Sequence, residues 1–478
     1  MASPSPLFLL CFMLCISHSY QMVLLPLTHS ISKSQFNSTH HLLKTTSTRS
    51  AARFQHHHHR HQQHQLSLPL SPGSDYTLSL NFGGSQPITL YMDTGSDLVW
   101  FPCAPFECML CEGKPDTPKP ANITKAHTVS CQSPACSAAH SSMPHRDLCA
   151  ISHCPLDSIE TSDCSKFTCP QFYYAYGDGS FIAKLYHQTL SISSLSLKNF
   201  TFGCAHTALA EPTGVAGFGR GLLSLPAQLA TFSPQLGHRF SYCLVSHSFD
   251  GEQARRPSPL ILGHHDGAGA GEEKPSEFVY TSMIANPKNP YYYCVGLVGI
   301  SVGNRILPAP AKLQSVDSKG NGGVVVDSGT TFTMLPASLY NAVVGEFDRR
   351  VGRVHKRASE VEDKTGLGPC YYLDGLVQVV PTVTLHFVGN NSNVVLPRKN
   401  YFYEFIDGGD GVRAKGKVGC MMLMNGGDES ELEGGPWATL GNYQQQGFEV
   451  VYDLEEQRVG FAKRQCASLW DSLNHDKN

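Results

Sequence analysis

Residues 92–102 read MDTGSDLVWFP and residues 326–336 read VDSGTTFTMLP. In both, an aspartate is followed by a hydroxyl residue, a glycine and a second hydroxyl residue, and a proline stands nine positions after the acid (Pro102, Pro336). An apolar run precedes each, ITLYM and GVVV, as in a buried strand. Each half then reaches a short run closing on glycine, VAG at Gly217 and TLG at Gly441, 124 and 114 residues after its aspartate. Two matched landmarks at similar spacing point to an internal duplication, hence two similar lobes that each offer one Asp. Only 16% of the 478 residues are charged, and 43 Gly and 30 Pro punctuate the chain. That balance suits short strands joined by turns, so an all-β, two-lobed fold with few short helices is expected.

An aspartate ending an apolar strand needs partners, because a lone buried carboxylate is costly. Gly95 and Gly329 allow a tight turn and close backbone approach. Thr94, Ser96, Ser328 and Thr330 supply hydroxyls for the carboxylates or for the opposite lobe. If the two loops meet, Asp93 and Asp327 cannot both ionise easily and share a proton. One then draws a proton from water while the other protonates a carbonyl oxygen. That chemistry suits amide hydrolysis in acid and needs neither metal nor cofactor.

The pair of motifs resembles the pepsin-like (A1-type) aspartic proteases, in their plant nepenthesin-like, atypical branch, over roughly residues 70–466. The resemblance implies that Asp93 and Asp327 are the catalytic dyad, that Thr94 and Ser328 bond across the lobes, and that Ser96 and Thr330 contact the outer carboxylate oxygens. YYAYGDGSF (173–181) is similar to the family's flap, with Tyr176 before Gly177 and Asp178 as its tyrosine and Trp100 packed behind it. An ordinary strand aromatic is the bland alternative for Tyr176, since Tyr173 and Tyr174 adjoin it. Ala183, Lys184 and Gln188 depart from the common pattern after the flap, away from the dyad. GFGRG (217–221) falls in a threading loop on this resemblance and not in a nucleotide site.

Residues 7–16, LFLLCFMLCI, followed by Ser17 and Ser19, read as a secretory signal ending at 19. The polar end DSLNHDKN argues against a lipid-anchor signal. Secretion to the apoplast, or delivery to a vacuole, follows. Sequons at Asn122, Asn199 and Asn390 agree with it. The first acidic residue is Asp75, whereas Lys33, Lys44, Arg49, Arg53 and Arg60 precede it. Without residues 1–65, Lys plus Arg falls from 36 to 31, Asp plus Glu stays at 39, and the net charge moves from −3 to −8. A basic leader on an acidic body suggests a propeptide, at about 20–68, that docks as in a zymogen. Its tract FQHHHHRHQQHQ (54–65) reads as a solvated linker, a pH-responsive segment or a metal tract. No basic stripe points to nucleic acid.

Of 17 cysteines, Cys11 and Cys15 leave with the signal. Nine lie in an insert after the first motif: Cys103, Cys108, Cys111, Cys131, Cys136, Cys149, Cys154, Cys164 and Cys169. Zinc at CMLC (108–111) is the weaker reading beside disulfides in a secreted chain. Nine is odd, so one pairs elsewhere or stays free. The family resemblance implies Cys370 with Cys420 and Cys243 with Cys466, leaving Cys204 and Cys294 as a conjectured pair. The N-terminal lobe is expected at 69–255, a linker loop at 256–277, the C-terminal lobe at 278–466 and a polar tail at 467–478. Helices are expected at 337–351 and 226–232. The favoured function is a monomeric, secreted acid endopeptidase acting on polypeptides. The alternatives are a catalytically dead relative that binds or inhibits proteins, and a disulfide-rich adhesion or carbohydrate-binding module.

Overall fold

The structure, a computed structural model, describes residues 22–475 apart from 30–35, 37, 57–75, 85–86, 112–118, 124–125, 177–178, 194, 211, 247–255, 264–277, 374–379 and 409–415. The signal at 1–19, Gly177, Asp178 and all of the histidine tract beyond His56 lie outside the described residues.

A six-stranded antiparallel sheet joins the two halves. Its order is β1 (Met22–His29), β10 (Ser258–Gly263), β9 (Arg239–Cys243), β15 (Phe448–Asp453), β16 (Arg458–Lys463) and β11 (Val279–Ile284). One edge strand therefore comes from the leader. Val23, Leu24, Leu25 and Leu27 of β1 are buried, which is what makes that edge adhere. Residues 258–263 were assigned to a solvent linker; they form β10, because SPLILG is buried at every position. The remainder of that linker, 264–277, is outside the described residues.

Each lobe repeats one arrangement. In the first, β3 (Ile88–Asp93) lies parallel to β8 (Val215–Gly217), and β4 (Val99–Met109) lies antiparallel to β8. In the second, β12 (Val324–Val326) is parallel to β14 (Ala438–Leu440), which pairs antiparallel with β13 (Thr333–Leu335). The strand ending in Asp thus sits beside the strand ending in Gly. A Cβ on Gly217 would lie 2.5 Å from the Leu98 nitrogen, and one on Gly441 2.5 Å from the Thr331 carbonyl oxygen. Only glycine lets these loops thread so closely. In the first lobe β5 (Phe172–Tyr176) and β6 (Gly179–Ile192) form the flap hairpin, backed by β7 (Leu195–Leu209) and joined to β2 (Tyr76–Phe82).

Four helices matter below. In the leader, α1 (Thr39–His56) has no acidic residue in its first turn and six Ser or Thr side chains, so docking and not propensity holds it. Leu42 and Leu43 pack with Phe332, Val361, Leu367 and Tyr443. In the second lobe α2 (Ala337–Val351) matches the expected helix and α3 (Ser359–Thr365) supports α1. The end read as a polar tail forms α4 (Cys466–His475); Leu469, Trp470 and Leu473 pack on Leu24 and Ile261. Three short helices inside the cysteine-rich insert, Pro134–Ala139, His145–Ile151 and Leu156–Thr161, also went unforeseen. Each starts beside a proline, and Ser133 caps the first by accepting from the Cys136 amide at 3.1 Å.

The disulfides are Cys103–Cys204, Cys108–Cys111, Cys131–Cys164, Cys136–Cys169, Cys243–Cys466 and Cys370–Cys420. Pairing of Cys204 with Cys294 is wrong. Strands β4 and β7 run parallel and bring Cys103 within 5.5 Å of Cys204 between Cα atoms, while Cys294 lies in the second lobe as a buried thiol. The ninth insert cysteine to pair elsewhere is thus Cys103.

Candidate active site

The two Asp loops face each other at the lobe boundary and are bonded alike. The Asp93 carboxylate accepts from the Gly95 amide at 2.9 Å and the Ser96 hydroxyl at 2.7 Å. Asp327 accepts from the Gly329 amide at 2.7 Å and the Thr330 hydroxyl at 2.6 Å. The Thr94 hydroxyl crosses the boundary, accepting from the Ser328 amide (2.9 Å) and donating to the Val326 carbonyl (3.0 Å). Ser328 mirrors it, accepting from the Thr94 amide (3.0 Å) and donating to the Met92 carbonyl (3.1 Å). Both hydroxyls are fully used, so the loops are locked in register. The glycines have a steric task as well. A Cβ at Gly95 would fall 2.7 Å from an Asp327 oxygen, and one at Gly329 would fall 2.2 Å from an Asp93 oxygen.

The flap covers this pair. The Trp100 indole NH donates to the Tyr176 hydroxyl at 2.8 Å, and Trp100 stacks on Phe181 at 4.0 Å between centroids. Burial, with the Asp93 charge, holds the Tyr176 phenol well above its ordinary value. Asn122, Asn199 and Asn390 are all exposed.

Sequence reasoning missed Arg53. Its Nη2 lies 3.0 and 2.9 Å from the two Asp93 oxygens and 3.8 Å from Asp327 Oδ2. The leader helix therefore delivers one guanidinium onto both carboxylates. The available signal was the basic bias of the leader, which does not single out one of its five cations. Ser50 of the same helix accepts from the Phe332 amide at 3.1 Å, and Ser47 donates to the Thr365 carbonyl at 2.9 Å. Phe54 is buried against Gly426, where a Cβ would come within 2.6 Å of its ring.

Electrostatics separate the two acids. Burial raises Asp93, but the charge and hydrogen bonds of Arg53, with Ser96 and Gly95, outweigh it and hold the carboxyl below its ordinary range. Burial pushes Asp327 up to about 6; Arg53 opposes this and the Asp93 charge adds to it. One proton for two carboxyls, with one cation above them, gives a site that is electrically balanced in weak acid.

Two groups of cysteine or histidine come close enough to suggest metal ligands, Cys131/Cys149/Cys164 and Cys136/His140/Cys169. In each, two sulfurs are joined in a disulfide, which removes them as thiolate ligands. Cys108 and Cys111 are likewise joined. Among the described residues no helix is long and apolar enough to cross a membrane.

Comparisons with known proteins agree with this geometry. Two family profiles match, xylanase inhibitor N-terminal over residues 76–264 and xylanase inhibitor C-terminal over 292–463. A probable aspartyl protease of Arabidopsis thaliana is 63% identical over 471 residues, 94% of each chain. Aspartic proteinase nepenthesin-2 of Nepenthes gracilis is 31% identical over 82% of this chain and 78% of that one. Among solved structures, edgp superposes with a TM-score of 0.63 at 18% identity, covering 94% of this chain and 96% of its own. Basic 7S globulin from soybean does so at 0.59 and 18%, covering 94% and 99%. At such identities the likeness concerns the fold, whereas the Arabidopsis and Nepenthes relatives carry the family. The chain belongs to the plant pepsin-like aspartic proteases.

Proposed function

We propose that the chain is the precursor of a secreted aspartic endopeptidase that hydrolyses polypeptides in acid, with Asp93 and Asp327 as its catalytic acids. The observation that carries this reading is the matched bonding of the two carboxylates, each held by a glycine amide and a hydroxyl and braced by the Thr94–Ser328 exchange. With the leader withdrawn, a water between the carboxylates gives a proton to the ionised one. Its oxygen attacks the peptide carbonyl carbon, while the protonated carboxyl supplies its proton to the carbonyl oxygen. Proton transfer to the amide nitrogen then lets the carbon–nitrogen bond break. The flap tyrosine, Tyr176, orders the substrate above the dyad.

The leader acts as an internal inhibitor, with Arg53 filling the place of the water and substrate. The mature enzyme works as a monomer in the apoplast or a vacuole. Incubation with denatured globin at pH 3–4, with and without pepstatin, tests the reading. Pepstatin-sensitive digestion is expected, and its absence from an acid-treated chain would overturn it.

A second reading is a protein-binding or inhibitory relative, favoured by the xylanase inhibitor description of both matching profiles. It predicts no digestion by the acid-treated chain and slowed xylanase turnover when the two are mixed.

A further inference from the structure

The second lobe carries a four-stranded antiparallel sheet in the order Arg305–Pro308, Leu297–Val302, Val383–Phe387 and Asn393–Val395. Successive side chains on a strand point to opposite faces. Ile300, Val302, Leu307, Leu385, Phe387 and Val394 are buried and form the inner face. The outer face carries Ser301, Thr384, His386 and Asn393, beside Ile306 and Val395, which are 66% and 57% exposed. The register sets Ser301 opposite Ile306 on one side and Thr384 on the other, Thr384 opposite Val395, and His386 opposite Asn393.

Three of these side chains are linked in series. The Ser301 hydroxyl is 2.6 Å from His386 Nε2, and His386 Nδ1 is 2.7 Å from Asn393 Oδ1. An amide oxygen only accepts, so Nδ1 bears the hydrogen. In the neutral ring Nε2 is then a free lone pair, and Ser301 donates to it. A hydroxyl, a base placed to take its proton and a group that fixes the tautomer of that base make a nucleophilic relay. Ser301 is 8% exposed, His386 half-buried and Asn393 exposed, so the relay opens to solvent at its far end while the serine is recessed beside Ile306.

We infer that Ser301 is a second nucleophile of this protein, activated by His386 and accepting acyl groups from activated esters with apolar acyl chains. Ser301 Oγ attacks the ester carbonyl carbon as its proton passes to His386 Nε2. The bond from that carbon to the alcohol oxygen breaks, and the alcohol leaves with the proton, so Ser301 becomes an ester. Water then attacks the same carbon, giving a proton to Nε2; the carboxylic acid is released and the proton returns to Ser301 Oγ. An activated ester is the matching electrophile because its alcohol departs without further help. Ile306 and Val395 offer apolar surface along which the acyl chain lies. The inference does not rest on the proteolytic reading, since the relay shares no residue with the dyad.

The test treats the full chain, leader in place and in neutral buffer, with p-nitrophenyl octanoate. Nitrophenolate release is followed, and the acylated peptide is mapped by mass spectrometry. An octanoyl group on Ser301 is expected, and Ser301→Ala should remove it. His386→Gln keeps the hydroxyl but removes the base, and should slow acylation of Ser301 by about a hundredfold. Asn393→Ala should slow it to a smaller extent, and Asn393→Asp, which again offers Nδ1 an acceptor, should restore the rate. Ile306→Ser should lower the octanoate rate relative to that of p-nitrophenyl acetate. Each rate is read on the mapped Ser301 peptide, so reaction at other side chains does not enter it. Octanoyl groups confined to lysines or other hydroxyls overturn the inference. So does a parental rate of Ser301 acylation in His386→Gln; should that variant fail to fold, a parental rate in Asn393→Ala, changed at an exposed position, decides in the same way.

Discussion

At the scale of single residues, the site is a problem of two acids and one base. Asp93 and Asp327 are both fully buried, and a shared proton avoids two adjacent charges. Asp93→Asn removes the ionised member; hydrolysis of globin should fall by at least about a thousandfold. On the proposed reading, Arg53 should set the pH at which the site opens. Because Asp93 is held below its ordinary value of 3.8, the Arg53 bond is at full strength above that value. It is lost as pH falls through the depressed one. Below it, a buried guanidinium faces two neutral acids, and breaking such a pair costs about 3–5 kcal/mol. Arg53→Gln removes this lock, so the onset of activity in an acid titration of the full chain should move to higher pH. An unchanged onset would mean that Arg53 does not control release. The dyad and its hydroxyls were legible in the sequence because the duplication displays them twice. Arg53 was not, since one guanidinium among five leader cations is chosen by the three-dimensional path of α1.

At the scale of elements, the leader shows where local signals mislead. Helix α2 follows Pro336 with apolar residues at helical spacing and was read from its sequence. Helix α1 is rich in Ser and Thr, which compete for backbone hydrogen bonds when a helix is isolated. It is helical because Leu42 and Leu43 fill a hollow beside α3 and Phe54 fits over Gly426. Leu→Ala at a buried site costs about 2–5 kcal/mol. Leu42→Ala with Leu43→Ala should therefore release the helix at higher pH while Arg53 is still present, seen as earlier proteolytic clipping of the leader by an added protease. Gly426→Val, which leaves no room for the Phe54 ring, should act in the same direction. Equal resistance to clipping in both variants would argue that Arg53 alone holds the leader. The insert helices illustrate the converse limit: their cysteines were visible, but the helical turns between them are set by proline starts and by cross-links whose partners a linear reading leaves open.

At the scale of the whole molecule, the lobes are joined by a sheet to which the leader adds an edge and by a disulfide, Cys243–Cys466, that closes 223 residues of chain. Long loops gain most from closure, and about 2–4 kcal/mol is expected here. The remaining cysteines divide into two kinds. Cys294 is alone and buried, with its thiol pushed up to about 12 by burial, so it is inert. Cys149 and Cys154 are different: the Cys154 amide donates to the Cys149 carbonyl at 3.0 Å, and burial together with the neighbouring Cys154 thiol pushes the Cys149 thiol up. In an oxidising compartment a disulfide donor should link them, each thiol giving up a proton and the donor being reduced to two thiols. The secreted chain, denatured and titrated with a thiol reagent, should then show one thiol, and three if that pair stays open. The two cross-links should also differ in weight. Cys149→Ser with Cys154→Ser opens a loop of a few residues and should lower the melting temperature less than Cys243→Ser with Cys466→Ser. If the short link proved the more important, its contribution would have to lie in native packing around the insert, since restraint of the unfolded chain ranks the two the other way.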